Sequence, residues 1–178
     1  VSEVPSLEAL GDRLPDAARD LRLNLGVVLG DGTLSLAQRW GSAITAAITA
    51  RNPELRDAVL QAARAAGVHD AVIDDARAAA AIMGMNNIYY RARHLIGKES
   101  YQKKPARLRM NRIARPATTK VDFELFCIVA SAITGCGDCL KSHEHVVIEG
   151  GLTEDHVHDA IRIASVVNGF ALSLALGA

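Results

Sequence analysis

The chain has 178 residues, of which 49% are apolar and only 4% aromatic, and its twenty Lys and Arg balance twenty Asp and Glu. That length can bury one sizeable core, and a net charge of zero argues against a general nucleic-acid binder. Three cysteines are too few for a disulfide scaffold. No 18-residue apolar run and no charged-then-apolar leader pattern is visible, so the expectation is no membrane span and a cytoplasmic protein.

With aromatics scarce, Ala, Leu, Ile and Val must fill the core, and no segment alternates with a strand's period. The pattern predicts an all-α fold in a single domain over 1–178. Residues 6–29 read as one or two helices, with Pro15 in the first turn of the second and Asp16 near its positive end. Gly30-Asp31-Gly32 marks a turn. Ser35 and Gln38 have capping-box spacing ahead of a helix reaching Arg51. Pro53 opens another that ends near Gly67. A long helix over 69–96 carries an alanine face, where Gly84 is expected to admit a close neighbour.

Residues 97–118 form the main irregular segment, broken by Gly97, Pro105 and Pro116. Nine Lys or Arg stand against the single acid Glu99 over 91–115. This reads as a solvated surface, with a docking face for an acidic partner protein as the sharper alternative. Helices are expected over 120–134 and 136–149, the second stopped by Gly150-Gly151. Thr153 caps the last helix, with Glu154 and Asp155 in its first turn and His156 and His158 on the surface.

A faint repeat runs at an offset of 85 residues. Ala47-Ile48-Thr49 matches Ala132-Ile133-Thr134, Leu55 matches Leu140, Asp70 matches Asp155, and Gly84 matches Gly169. It suggests two related helical halves, roughly 35–88 and 120–173, with Arg51 and Glu54 at the positions of Cys136 and Cys139.

The chemistry concentrates in Glu124–His145, ELFCIVASAITGCGDCLKSHEH. On a helix Cys136 and Cys139 share a face at i and i+3, and His143 lies at i+4 from Cys139. Two sulfurs so placed can close into a disulfide and reopen. Gly135 breaks the preceding apolar run, so Cys136 is expected to start a helix, where free N–H groups and the macrodipole favour a thiolate. A thiol near pKa ~8.5 falls to roughly 3.5–7.5 in such settings, and an imidazole near ~6.5 can take and return its proton.

Zinc held by Cys136, Cys139, His143 and His145 is a competing reading. His145 would point away on an ideal helix, and no second CxxC or distant HxxxH is present. Inert core cysteines and a structural disulfide compete as well. The dipole favours Cys136 as nucleophile, while His143 favours Cys139. Cys127, inside FELFCIVA, reads as a buried bystander.

This stretch resembles the AhpD-type alkylhydroperoxidases of the carboxymuconolactone decarboxylase-like superfamily. Phe123–Leu125, the run from Ser131 and His143–His145 carry the likeness, which extends upstream to Ala79–Arg93 and Leu108–Pro116. The resemblance implies that Cys139 forms a sulfenic acid, and that Cys136 is the proton donor and disulfide partner. It also implies a proton relay from Glu124 through His143. It further implies an antioxidant enzyme with no bound cofactor, which reduces alkyl hydroperoxides and a partner peroxiredoxin. Its electrons would come from the dihydrolipoamide of a lipoylated dehydrogenase-complex subunit, and it would form a homotrimer. One departure stands out. Gly137 and Asp138 fill the CxxC where a His is expected at the second position, and an acid beside Cys139 should raise its pKa. Two different functions compete with this one: a redox sensor, and a carboxymuconolactone-decarboxylase-like enzyme that needs no CxxC.

Overall fold

A computed structural model describes residues 4–176 and, among them, contains helices and no strand. Local signals set most helix ends. Helix α1 (Leu7–Asp12) starts under the Ser6 hydroxyl, which accepts from Ala9 N. A 3-10 turn at Asp16–Ala18 runs into α2 (Arg19–Val28). Helix α3 (Leu36–Thr49) opens on the complete Ser35–Gln38 capping box. Asn52 caps α4 (Pro53–Ala65), with Pro53 in its first turn. Helix α5 (Asp70–Ile96) is capped by the His69 ring and ends on Gly97 in the left-handed conformation.

Two short turns follow, α6 (Glu99–Gln102) and α7 (Asn111–Ala114). Helix α8 (Lys120–Thr134) starts on Thr119 and ends on left-handed Gly135. Cys136 is the N-cap residue of α9 (Gly137–Glu149), and Thr153 caps α10 (Glu154–Leu174). No helix of the described residues is long and apolar enough to cross a membrane.

Helix α8 is the centre of the domain. Residues 123–131 are all buried, and the helix packs against α3, α5, α9 and α10. Gly41 lets α3 lie against the Phe126 ring of α8. A Cβ at that position would lie 2.1 Å from the Phe126 ring. The aromatic shortage is thus met by placing Phe123, Phe126 and Phe170 in the core and letting small residues take the facing sites.

Two expectations need correcting. Pro15 does not sit in the first turn of an α-helix; it precedes the 3-10 turn, whose tighter geometry carries the chain into α2. Gly84 admits no neighbour, because nothing lies within 4 Å of a Cβ built there. It lines an open groove of about 800 Å³ instead. His156 lies near the surface at the start of α10, where its ring also completes the N-terminal cap with Thr153.

The basic segment is less irregular than its composition suggests. Fully buried Asp75 on α5 accepts from Arg112 Nε at 3.0 Å, Ala117 N at 2.9 Å, and Thr118 N and Oγ1, both at 2.7 Å. Burial alone would raise this carboxyl, but the bonds from Ala117, Thr118 and Arg112 outweigh it and hold the group below its usual range. Arg112 also pairs with Asp74. Arg91 donates to the Thr134 carbonyl, and Arg93 to the Gln102 carbonyl. Arg112 and Arg93 therefore tie the segment to α5, and Arg91 ties α5 to α8; the Arg112 contact fixes one wall of the cavity described next.

Candidate functional site

The α8–α9 junction builds the site. Gly135 takes φ 71°, a conformation that costs other L-residues energy, and it turns the chain sharply after α8. Cys136 then lies at the start of α9 and Cys139 one turn inside it. Their Cα atoms are 5.3 Å apart, and the two sulfurs form a disulfide. Cys136 is fully buried, while Cys139 is 6% exposed.

Cys139 lines a cavity of about 250 Å³ together with Asn86 and Tyr90 of α5, Met110, Ile113 of α7, and Asp138, Ser142 and His143 of α9. The sequence-predicted pair of Cys139 and His143 therefore meets on one small cavity, as the i and i+4 spacing on α9 requires. Cys136 does not line it. The wider 800 Å³ groove contains neither cysteine, and the chemistry identifies the smaller cavity as the relevant one.

His143 is held from behind. Its Nδ1 lies 2.5 Å from Oε2 of Glu124, whose side chain is 5% exposed. A buried carboxylate is costly without a partner, and this one turns on the imidazole and fixes the ring's orientation. The remaining ring nitrogen makes no hydrogen bond among the described residues. No hydrogen bond joins His143 to either sulfur in this disulfide state.

Cys127 lies within the same group: a carboxylate oxygen of Glu124, the Cys127 sulfur and a ring nitrogen of His143 are all within 4.8 Å of one another. This is the set of side chains that could hold a metal ion. It differs from the four ligands considered from the sequence, because Cys136 and Cys139 bond to each other and His145 turns outward to Glu149 at 3.3 Å. Burial, and then the charges of Glu124 and Asp75, push the Cys127 thiol well above its ordinary value. It stays protonated, as a bystander would.

Two residues escaped the sequence reading. His94, in the last turn of α5, places Nδ1 3.1 Å from Oδ2 of Asp138. A histidine therefore does stand beside the acid of the CxxC, contributed by another helix. Only an unusually placed acid hinted at such a partner. Asn86 is the second. It is 4% exposed and lines the cavity, and its spacing on an alanine-rich helix gave no sign of this.

The chain is similar to known proteins over most of its length. The model of the carboxymuconolactone decarboxylase family matches residues 99–176, which include α8, α9 and α10. The chain is 57% identical over 171 residues to an alkyl hydroperoxide reductase AhpD of Anaeromyxobacter sp. (strain K), covering 96% of this chain and 91% of that protein. It is 51% identical to the protein of the same name from Rhodospirillum centenum, over 95% of this chain and 90% of the relative. The Brucella suis protein of that name is 45% identical, over 95% and 96%. With identities of this size along nearly the whole length, and an all-α fold, the chain belongs to the AhpD family.

Proposed function

We propose that this protein is a CxxC thiol peroxidase and disulfide reductase that acts on alkyl hydroperoxides. The observation that carries the reading is the shared cavity. Cys139 opens onto it beside His143, His143 is held by buried Glu124, and Cys136 stands behind within disulfide reach. The names of the relatives, alkyl hydroperoxide reductase, point the same way.

In the reduced protein the Cys139 thiolate attacks the terminal oxygen of the hydroperoxide. An S–O bond forms and the O–O bond breaks. The sulfur is oxidised to a sulfenic acid, and the alkoxide leaves and takes a proton to become the alcohol. Cys136 supplies that proton, and the Glu124–His143 pair replaces it by relay. The Cys136 sulfur then attacks the sulfenic acid, closing the disulfide and releasing water. Two thiols and one hydroperoxide thus give one disulfide, one alcohol and one water. Cys139 is favoured as the attacking atom because it reaches the cavity, whereas Cys136 is fully buried.

A dithiol must reopen the disulfide. Our reading assigns this to dihydrolipoamide on a lipoylated dehydrogenase-complex subunit, with a peroxiredoxin as the disulfide-bearing partner and no resident cofactor. The cytoplasm, where thiols are kept reduced, is the compartment in which such a pair cycles. A homotrimer would cover Ile88 and Leu95 on α5, which are 59% and 75% exposed.

The test is peroxide consumption driven by dihydrolipoamide, on wild type and three variants. Cys136→Ser and Cys139→Ser should each abolish turnover, and Glu124→Gln should lower it about 100-fold with the helical content unchanged. Turnover that survives in Cys139→Ser refutes the peroxidase reading. A decarboxylase-like activity that resists iodoacetamide would support the alternative enzyme class in its place.

A further inference from the structure

Helix α8 brings to the relay one side chain that the peroxide chemistry does not use. Glu124 and Cys127 stand at i and i+3 on α8 and so share a face. His143 of α9 meets that face, with Nδ1 2.5 Å from Oε2 of Glu124. A carboxylate oxygen of Glu124, the Cys127 sulfur and a ring nitrogen of His143 lie within 4.8 Å of one another. Glu124 and Cys127 are buried, at 4% and 0% exposure, while His143 lines the Cys139 cavity. Two donors one turn apart on one helix, with a third from the helix opposite, are how helical bundles build metal sites.

We propose that Glu124, Cys127 and His143 form a binding site for a divalent cation of the zinc class, and that a cation held there takes His143 out of the proton relay. The site stands apart from the peroxidase reading; only its effect on turnover rests on that reading. The donor set argues for the class of ion. Thiolate, imidazole and carboxylate together suit zinc or cobalt, whereas magnesium and calcium take oxygen ligands. Bonds of ~2.0–2.3 Å around a tetrahedral ion put its ligand atoms roughly 3–4 Å apart, so shifts of about 1 Å complete the set. The charges argue for a cation. Among the described residues no Lys or Arg pairs with Glu124, and Asp75 also acts on Cys127 as a negative charge. As the metal–sulfur bond forms, the Cys127 thiol releases its proton to water, and no electrons move. One carboxylate and one thiolate then neutralise the ion, as a buried charge requires. Entry is from the cavity, which His143 lines.

The disulfide isolates the sulfur in question. With Cys136 and Cys139 joined, Cys127 is the one free thiol of the chain, so a thiolate-to-cobalt charge-transfer band has no other source. Oxidised wild type is titrated with Co²⁺ and its near-ultraviolet absorption is followed. The band should appear, saturate at a single ion per chain, give way to Zn²⁺ and resist Mg²⁺. Cys127→Ser should lose it. Glu124→Gln and His143→Gln should each weaken cobalt binding at least about tenfold, and His145→Ala should leave it unchanged. No band in wild type, a band that survives in Cys127→Ser, or unweakened binding in His143→Gln would overturn the site, and the first and last of these decide it if Cys127→Ser does not fold. Zn²⁺ is then added to peroxide turnover driven by dihydrolipoamide. The reductant and the open CxxC bind zinc in both proteins, so wild type and Cys127→Ser are compared at equal free zinc. Inhibition of wild type should set in at roughly tenfold lower free zinc, and equal sensitivity would overturn the effect on the relay. Wild type that forms the band yet turns over no peroxide in zinc-free buffer would overturn the peroxidase reading and leave the site standing.

Discussion

Helices α3, α4 and α5 begin at residues 36, 53 and 70, and α8, α9 and α10 at 120, 137 and 154, so the two triplets share their order and their spacing. In each, the first helix packs on the other two. In each, a threonine at the end of that helix bonds back one turn, Thr49 to the Thr45 carbonyl and Thr134 to the Ala130 carbonyl. Descent of both from one unit is our proposal for this correspondence. The side chains differ where it matters. At the positions of Glu124, Cys136, Cys139 and His143 the first triplet has Arg39, Arg51, Glu54 and Ala58. Arg39 donates to the Leu29 and Leu34 carbonyls, and Ala58 is buried in the core. The difference teaches that this helical frame is chemically indifferent. A turn followed by a helix start exists in both triplets, but only one pairs sulfur with a buried carboxylate and an imidazole.

Moving the cysteines tests that lesson most severely. In a Cys136→Ser/Cys139→Ser background, Arg51→Cys with Glu54→Cys restores a CxxC in the equivalent place. Peroxide turnover should remain at least about 100-fold below wild type, because no acid–imidazole pair stands behind it. Recovery of near-normal turnover would show that the frame itself suffices.

The anchoring of connecting segments is the next asymmetry. Asp75, deep in the first triplet, is fully buried and fixes the segment that walls the second triplet's cavity, whereas Asp159 of α10, which holds Thr33 N and Oγ1 ahead of α3, keeps a side chain 19% exposed. Asp75→Ala should destabilise the fold by about 3 kcal/mol in urea titration at pH 7. The folded carboxyl lies below its unfolded value. Its stabilisation is therefore present above the unfolded pKa and is lost as pH falls through the folded pKa. Wild type and variant should converge in stability in acid, and a constant gap between them would exclude the linkage.

The smallest effect concerns glycines. Gly84 and Gly169 are equivalent by position, yet a Cβ built at Gly169 would lie 3.1 Å from Leu21 while one at Gly84 would meet nothing within 4 Å. Gly84→Ala should stabilise α5 by roughly 0.5–1 kcal/mol through helix propensity. Gly41→Ala, by contrast, should destabilise by about 1–3 kcal/mol because Phe126 blocks the new methyl. Thermal unfolding of the two variants should move in opposite directions, and a loss on Gly84→Ala would mean that the groove is filled in solution.

The sequence by itself determined the three long helices that follow residue 119, most helix boundaries, and the redox motif. These depend on signals within a few residues of one another: a Ser–Gln box, Pro53 after Asn52, Gly97 and Gly135 as stops, and two cysteines one turn apart. A cap or a turn satisfies its backbone groups locally, so its residues suffice to announce it. Only the tertiary structure decided which glycine permits a close approach, why nine basic residues do not make a featureless surface, and what faces the sulfurs. Gly41 meets Phe126, Asp75 meets Arg112 and Thr118, His94 meets Asp138, and Asn86 reaches the Cys139 cavity across dozens of residues of chain. Such contacts arise from how whole helices pack, and no short-range pattern records them.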